Sequence, residues 1–199
     1  MKRALVVIDV QESFLQQEIW AASSHPKIVE SVQRLVEHAR EQGDLVVWVL
    51  HAAPGSGTVF DPALGFVRLM DGLHARDGEP VVTKSSHNAF TTTNLQQILT
   101  RQGVREVVVC GIRTEQCCET TARVASDLGY EVTFVVDATA TTPIPHWKAP
   151  ANRPLAEILA DPLTLGTDEI IKRTVYALAG RFAVIRTVEE VVAPAPVGG

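Results

Sequence analysis

Apolar residues in this chain fall in short continuous blocks, not in strict alternation. Six such blocks recur, at Ala4–Ile8, Leu45–Leu50, Pro80–Thr83, Glu106–Gly111, Val132–Val136 and Phe182–Ile185. A strand with one wet face alternates, so a continuous apolar run predicts a strand covered on both faces. Between the blocks the spacing becomes helical. Over Pro26–Gln42, Ile28, Val32, Leu35, Val36 and Ala39 share one helical face, and Gly43 closes the run. Thr93 stands as a cap before Asn94–Gln102, with Gly103 behind it. Glu115–Leu128 ends at Gly129, and Asp168–Leu178 ends at Gly180. This alternation predicts one α/β domain over residues 1–191, a mostly parallel sheet with helices on both faces. The tail Val192–Gly199 is expected to fray. Two connections are long, Ala52–Glu79 and Asp137–Thr167. The second holds Pro143, Pro145, Pro150, Pro154 and Pro162. A structured connection of that length reads either as a lid over a site or as surface packing and an oligomer contact.

Composition narrows the function. The 199 residues suit one domain, and 46% hydrophobic with 21% charged residues is a globular balance. A net charge of −5 argues against a general nucleic-acid face, which needs a basic surface. No apolar run approaches the roughly 18 residues of a membrane span. The start is basic and then apolar, but stops at Asp9, too short for a signal peptide. The expectation is a cytoplasmic protein with neither a nucleic-acid nor a membrane partner. The three cysteines, Cys110, Cys117 and Cys118, cannot all pair, and none forms a C-x-x-C motif. Reduced thiols are expected.

In open parallel sheets, ligands bind beyond the carboxyl ends of the strands. Three reactive side chains stand at predicted strand ends: Asp9 after strand one, Lys84 after strand three, and Cys117 just beyond strand four. With Thr114 as cap, Cys117 falls in a first helical turn. Unpaired N–H groups and the helix dipole there favour a thiolate or an oxyanion, with Glu115 and Glu119 opposing. The plainer alternative is a buried small apolar residue. Asp9 reads as a proton shuttle or as a strand-end cap. Lys84 either steadies an anion or is simply solvated. Cys110 reads as core, and Cys118 faces elsewhere. Of the histidines, none forms H-x-x-x-H or H-E-x-x-H. His51, ending strand two, reads as a pocket wall or hydrogen-bond partner, not a metal ligand.

At these residues the chain resembles the isochorismatase-like cysteine hydrolases. Asp9-Val10-Gln11-Glu12-Ser13-Phe14 is similar to a D-x-Q-x-x-F opening. Lys84 to Phe90, followed by Thr93-Asn94-Leu95, resembles the family's lysine segment. Gly111 to Arg123 resembles its G-x-x-T-x-x-C-V-x-x-T-A signature, with Cys118 where valine is common. The resemblance implies a three-layer Rossmann-like fold whose six strands run in order 3-2-1-4-5-6. It implies a triad of Asp9, Lys84 and Cys117, a cis peptide at Ile112–Arg113, and an oxyanion hole from the Arg113 and Cys117 N–H groups. It also implies substrate contacts at Gln11, Phe14, His51, Phe60, Phe90, Ile112 and Thr139. The Arg113 side chain either faces inward to meet a substrate carboxylate or is solvated.

Two departures sharpen the expected chemistry. After strand two the chain reads Leu50-His51-Ala52-Ala53-Pro54, without the D-x-H metal motif of the nicotinamidase branch. Family members that cleave a vinyl ether often lack the cysteine, so its presence favours C–N cleavage. The expectation is a cofactor-free cysteine hydrolase acting on a small amide, carbamoyl or ureido compound, as a homodimer or homotetramer. The competing readings are a binding or assembly protein that kept the fold and, more remotely, a redox protein using Cys117 and Cys118.

Overall fold

The computed structural model describes residues 2–193. Its six strands are β1 (Lys2–Ile8), β2 (Leu45–His51), β3 (Val81–Lys84), β4 (Val104–Ile112), β5 (Glu131–Ala140) and β6 (Val184–Arg186). They form one sheet in the order β3-β2-β1-β4-β5-β6, and every pairing is parallel. The continuous apolar runs have the expected cause. Successive side chains of a strand point to opposite faces. Along β1, Ala4, Val6 and Ile8 enter one core, while Leu5 and Val7 enter the other.

The helices α1 (Ile28–Glu41), α2 (Leu95–Gln102), α3 (Glu119–Asp127), α4 (Leu155–Ala160), α5 (Thr167–Leu178) and α6 (Val188–Val192) complete the layers. Leu95 and Leu99 of α2, Ala122 and Ala125 of α3 and Leu178 of α5 pack in the first core. α1 and α6 cover the second. α1 has no side-chain cap at its start, so its amphipathic face holds it. Burying Ile28, Val32, Leu35 and Val36 stabilises it by roughly 1.5–3 kcal/mol per side chain.

The sheet differs from the sequence reading in its ends. β5 runs on to Ala140, four residues past the expected stop. Asp137 and Thr139 interrupt the apolar run there, and backbone pairing with β4 carries the strand through them. Two short helices, α4 and α6, were not expected. α4 is only six residues long and buries no side chain fully, so its Leu155 and Ile158 give too short a pattern to read. α6 is brief and set by a Thr187–Glu190 capping box. Its Val192 packs partly against the second core, so the ordered chain reaches past the expected start of the tail. Residues 194–199 of that tail lie outside the described residues. The stretch expected as one helix from Glu115 is a π-helical turn, Thr114–Cys118, followed by α3. Among the described residues no helix is long and apolar enough to cross a membrane.

Candidate active site

Parallel pairing brings the ends of β1 to β4 to one edge. His51 and Lys84 are register partners across β2 and β3. Ile8 pairs with Val49 on one side and Gly111 on the other. Beyond Ile8 the chain turns sharply: Asp9 has φ 54°, a left-handed conformation tolerated by aspartate, and its N–H donates to Val49 O at 2.8 Å. On β4, Gly111 has φ 128°, and any Cβ there would drive into the Ile8 carbonyl. Glycine therefore lets β1 and β4 close together at the point where their chains present Asp9 and the Cys117 turn. The Ile112–Arg113 peptide is cis.

The three groups meet around one ammonium. Lys84 Nζ lies 2.7 Å from Asp9 Oδ2. It donates to Cys117 Sγ at 3.3 Å. It lies 3.4 Å from His51 Nδ1. Asp9 is 0% exposed, Lys84 1% and Cys117 8%, so only the thiol side of the group reaches solvent. Burial raises the Asp9 carboxyl to about 6, with the Lys84 charge opposing. Burial, then the Asp9 charge, pushes the Cys117 thiol up to about 12, again against Lys84. The expected helix-end preference for thiolate is thus outweighed. At neutral pH the resting set is a carboxylate, an ammonium and a thiol. Such a set can pass the thiol proton to Asp9 while Lys84 offsets the sulfur's new charge. Cys110 and Cys118 are fully buried in opposite cores, as expected of structural cysteines.

Beside His51 stands an aromatic wall. Phe14 and Phe60 meet edge to face at 5.2 Å, and His51 meets Phe60 at 5.5 Å. Trp20, 5.8 Å from Phe14, extends the wall. The sequence reading missed Trp20; its one signal was an aromatic residue in a polar stretch. The Arg113 guanidinium lies 5.9 Å over the Phe14 ring and donates to Gln17 Oε1 at 3.3 Å, which settles it against this wall.

Four further residues expected at the substrate are buried and engaged within the protein. Gln11 is fully buried, and its amide is occupied: Oε1 accepts from His51 N at 2.7 Å, and Nε2 donates to His51 O at 3.0 Å and to Ser13 Oγ. It clasps the end of β2 and offers a substrate nothing. Ile112 is fully buried in the second core. Phe90 packs in the first core and stacks on Tyr130 at 6.1 Å. Thr139 Oγ1 accepts from Thr114 Oγ1 at 2.9 Å and donates to Val136 O at 2.8 Å, so it anchors the π-helical turn. In the proline-rich connection, Arg153 Nη1 binds Asp161 Oδ2 at 2.8 Å, while Trp147 is 84% exposed and stacks only on His146. Among the described residues, no three His, Cys, Asp or Glu side chains converge as metal ligands.

Comparison with known proteins follows the same outline. Residues 3–165 match the isochorismatase domain. The isochorismatase family protein YrdC of Bacillus subtilis is 30% identical over 139 residues, 70% of this chain and 74% of its own. A streptothricin hydrolase of Streptomyces noursei is 35% identical over 144 residues, 72% of this chain and 51% of that one. The crystal structure of an isochorismatase from Pseudomonas putida aligns with a TM-score of 0.80 at 27% identity, over 94% of this chain and 89% of that one.

Proposed function

The chain belongs to the isochorismatase family, and from that premise we propose that it is a metal-independent cysteine hydrolase cleaving a C–N bond of a small amide, carbamoyl or ureido compound. One observation carries the reading: Lys84 Nζ sits between the Asp9 carboxylate and the Cys117 sulfur, 2.7 and 3.3 Å away, with all three groups withdrawn from solvent. A binding module has no use for a buried acid, base and thiol in contact. The 35% identity to a streptothricin hydrolase, over 72% of this chain, supports hydrolase chemistry.

Asp9 accepts the Cys117 proton as the sulfur attacks the substrate carbonyl. Backbone N–H groups of Arg113 and Cys117 receive the oxyanion, each worth roughly 3–4 kcal/mol of transition-state stabilisation. Asp9 then protonates the leaving nitrogen. Water enters, gives its proton to Asp9 and displaces the Cys117 thiolate from the acyl group, and Asp9 then returns the proton to the sulfur. The aromatic wall of Phe14, Trp20 and Phe60, joined to the cluster through His51, bounds the substrate. Donor chemistry at the end of β2 fits a metal-free site: His51 has no acidic ligand two residues before it, and its Nδ1 faces an ammonium.

The test is ammonia release over a panel of small amides and ureides, with rapid-quench mass spectrometry of the enzyme. The native protein should release ammonia and carry an acyl adduct on the Cys117 peptide. Cys117→Ala should do neither while keeping the native circular dichroism. Turnover by Cys117→Ala would end this reading in favour of another nucleophile.

A further inference from the structure

We infer that His51 is a positioning residue, a neutral imidazole that accepts an N–H of Lys84 and so aims that ammonium at both Asp9 and Cys117. The inference rests on the triad proposed above and concerns a side chain outside it. An ammonium carries three donors and no acceptor, on a bond that rotates freely. Three groups surround Lys84 Nζ: Asp9 Oδ2 at 2.7 Å, Cys117 Sγ at 3.3 Å and His51 Nδ1 at 3.4 Å. Cys117 Sγ and His51 Nδ1 are its hydrogen-bond partners, and the Asp9 carboxylate pairs with it by charge, its oxygens accepting no well-directed hydrogen bond. A donor-only neighbour requires the lone pair of His51 on Nδ1 and its proton on Nε2.

The ring is built into that place. Gln11 clasps the His51 backbone through both N–H and C=O. Phe60 meets the ring edge to face. Together they fix the main chain and the ring, and this explains why a wholly buried glutamine is spent on two backbone bonds. The imidazole also stays uncharged. Burial, then the charges of Lys84 and His87, lowers its pKa to about 4, against the Ser86 backbone. His87 is exposed and is the remaining titratable group acting on both His51 and Asp9. Without the His51 acceptor, one buried N–H of Lys84 would be left without a partner. The ammonium would then turn toward the stronger acceptor, Asp9, and its hold on the sulfur would weaken.

The test compares two replacements that separate the acceptor from the packing. His51→Phe keeps a ring against Phe60 and removes the lone pair. His51→Asn keeps an acceptor near the place of Nδ1 and removes the ring. The readout is the rate of Cys117 alkylation by iodoacetamide across pH 6–10, mapped by peptide mass spectrometry with Cys110 and Cys118 as internal controls. If His51 positions Lys84, His51→Phe lowers the Cys117 rate about tenfold at pH 8 and moves its pH profile upward by about one unit. His51→Asn stays nearer the native profile. In turnover, His51→Phe lowers kcat more than it raises KM. The reverse order, Phe native-like and Asn impaired, assigns His51 to packing and overturns the inference. Lys84→Ala separates this outcome from failure of the triad itself. If Lys84→Ala leaves Cys117 alkylation unchanged, the triad falls; if it slows alkylation while His51→Phe does not, only the role of His51 falls.

Discussion

At the scale of single residues, the site is a problem in placing charge where water is absent. Asp9 and Lys84 are both withdrawn from solvent, and a buried ion pair of this kind adds little to stability, because desolvation offsets the attraction. Its value is chemical. A carboxyl raised to about 6 is ionised at neutral pH, yet basic enough to take a proton during attack. The sign of the pH dependence follows. Asp9 must be ionised to accept the thiol proton, so kcat/KM should fall as pH drops through about 6, with one proton taken up. An unperturbed aspartate near 4 would keep full activity at pH 5. A kcat/KM profile flat down to pH 5 would remove Asp9 as the base. The thiol, pushed up to about 12, gives no basic limb below pH 9 by its own ionisation. Cys117 should therefore act as a thiol that loses its proton during attack, not as a preformed thiolate.

At the scale of elements, two joints hold the site edge in shape. The first is the β1–β4 contact at Gly111. Alanine there would meet the Ile8 backbone, which cannot rotate away as a flexible side chain would. Gly111→Ala should either fail to fold or lose several kcal/mol in urea unfolding, on the order of other severe backbone clashes. A loss below about 1 kcal/mol would show that the strands part easily. The second joint is Glu79, at the end of the long β2–β3 connection. Arg40 of α1 binds its two oxygens at 2.7 and 2.9 Å, and Trp48 Nε1 of β2 donates at 2.8 Å. Burial alone would raise this carboxyl; the Arg40 and Trp48 bonds and the Arg76 N–H overcome it and hold it at about 2, against an ordinary 4.5. A depressed carboxyl stabilises the fold above its unfolded pKa, and the gain is lost as pH falls toward about 2. The span sets a ceiling of about 3 kcal/mol, which solvent screening of this partly exposed pair reduces. Glu79→Gln should lose up to that amount at pH 7, and the gap from the native protein should close between pH 4.5 and 2. These joints also show what was legible in the sequence. The strands and larger helices were, because buried parallel strands and amphipathic helices write their burial into the hydrophobic pattern. The positions of Asp9, Lys84 and Cys117 at strand ends were legible for the same reason. The pocket side chains were less so. Gln11, Phe90, Ile112 and Thr139 lie in segments similar to those of the family, but whether a side chain faces ligand, core or backbone is set by tertiary contacts that no local spacing encodes. Polar residues inside β5 hid its last turns of pairing in the same way.

At the scale of the whole molecule, the triad straddles the midline of the sheet. Asp9, His51 and Lys84 come from β1, β2 and β3; Cys117 follows β4 on the other half. Chain order reverses between β1 and β4, so the ligand edge opens at the crossing that topology favours for binding. Lys84 rides on the edge strand β3, while Asp9 and the Cys117 turn are held together by the pairing of β1 with β4. Those strands are the most deeply covered in the protein: Val6, Val7, Ile8, Val107 and Val109 have no exposed surface. The approach of Asp9 to Cys117 should therefore share the stability of the central sheet. In a urea titration, the alkylation rate of Cys117 should change from its native value to that of a free thiol at the same midpoint as far-UV circular dichroism, with one shared slope. The aromatic wall is built differently, from 3-10 turns and the long β2–β3 connection, beside the exposed Leu15 and Leu64. It is the part that can open alone. Activity measured at low substrate should accordingly fall at lower urea than this change in Cys117 reactivity, through a rising KM with kcat held. If Cys117 reaches the free-thiol rate well before the sheet unfolds, the β1–β4 crossing is not the lock, and the proposed triad is held instead by the loops that cover it.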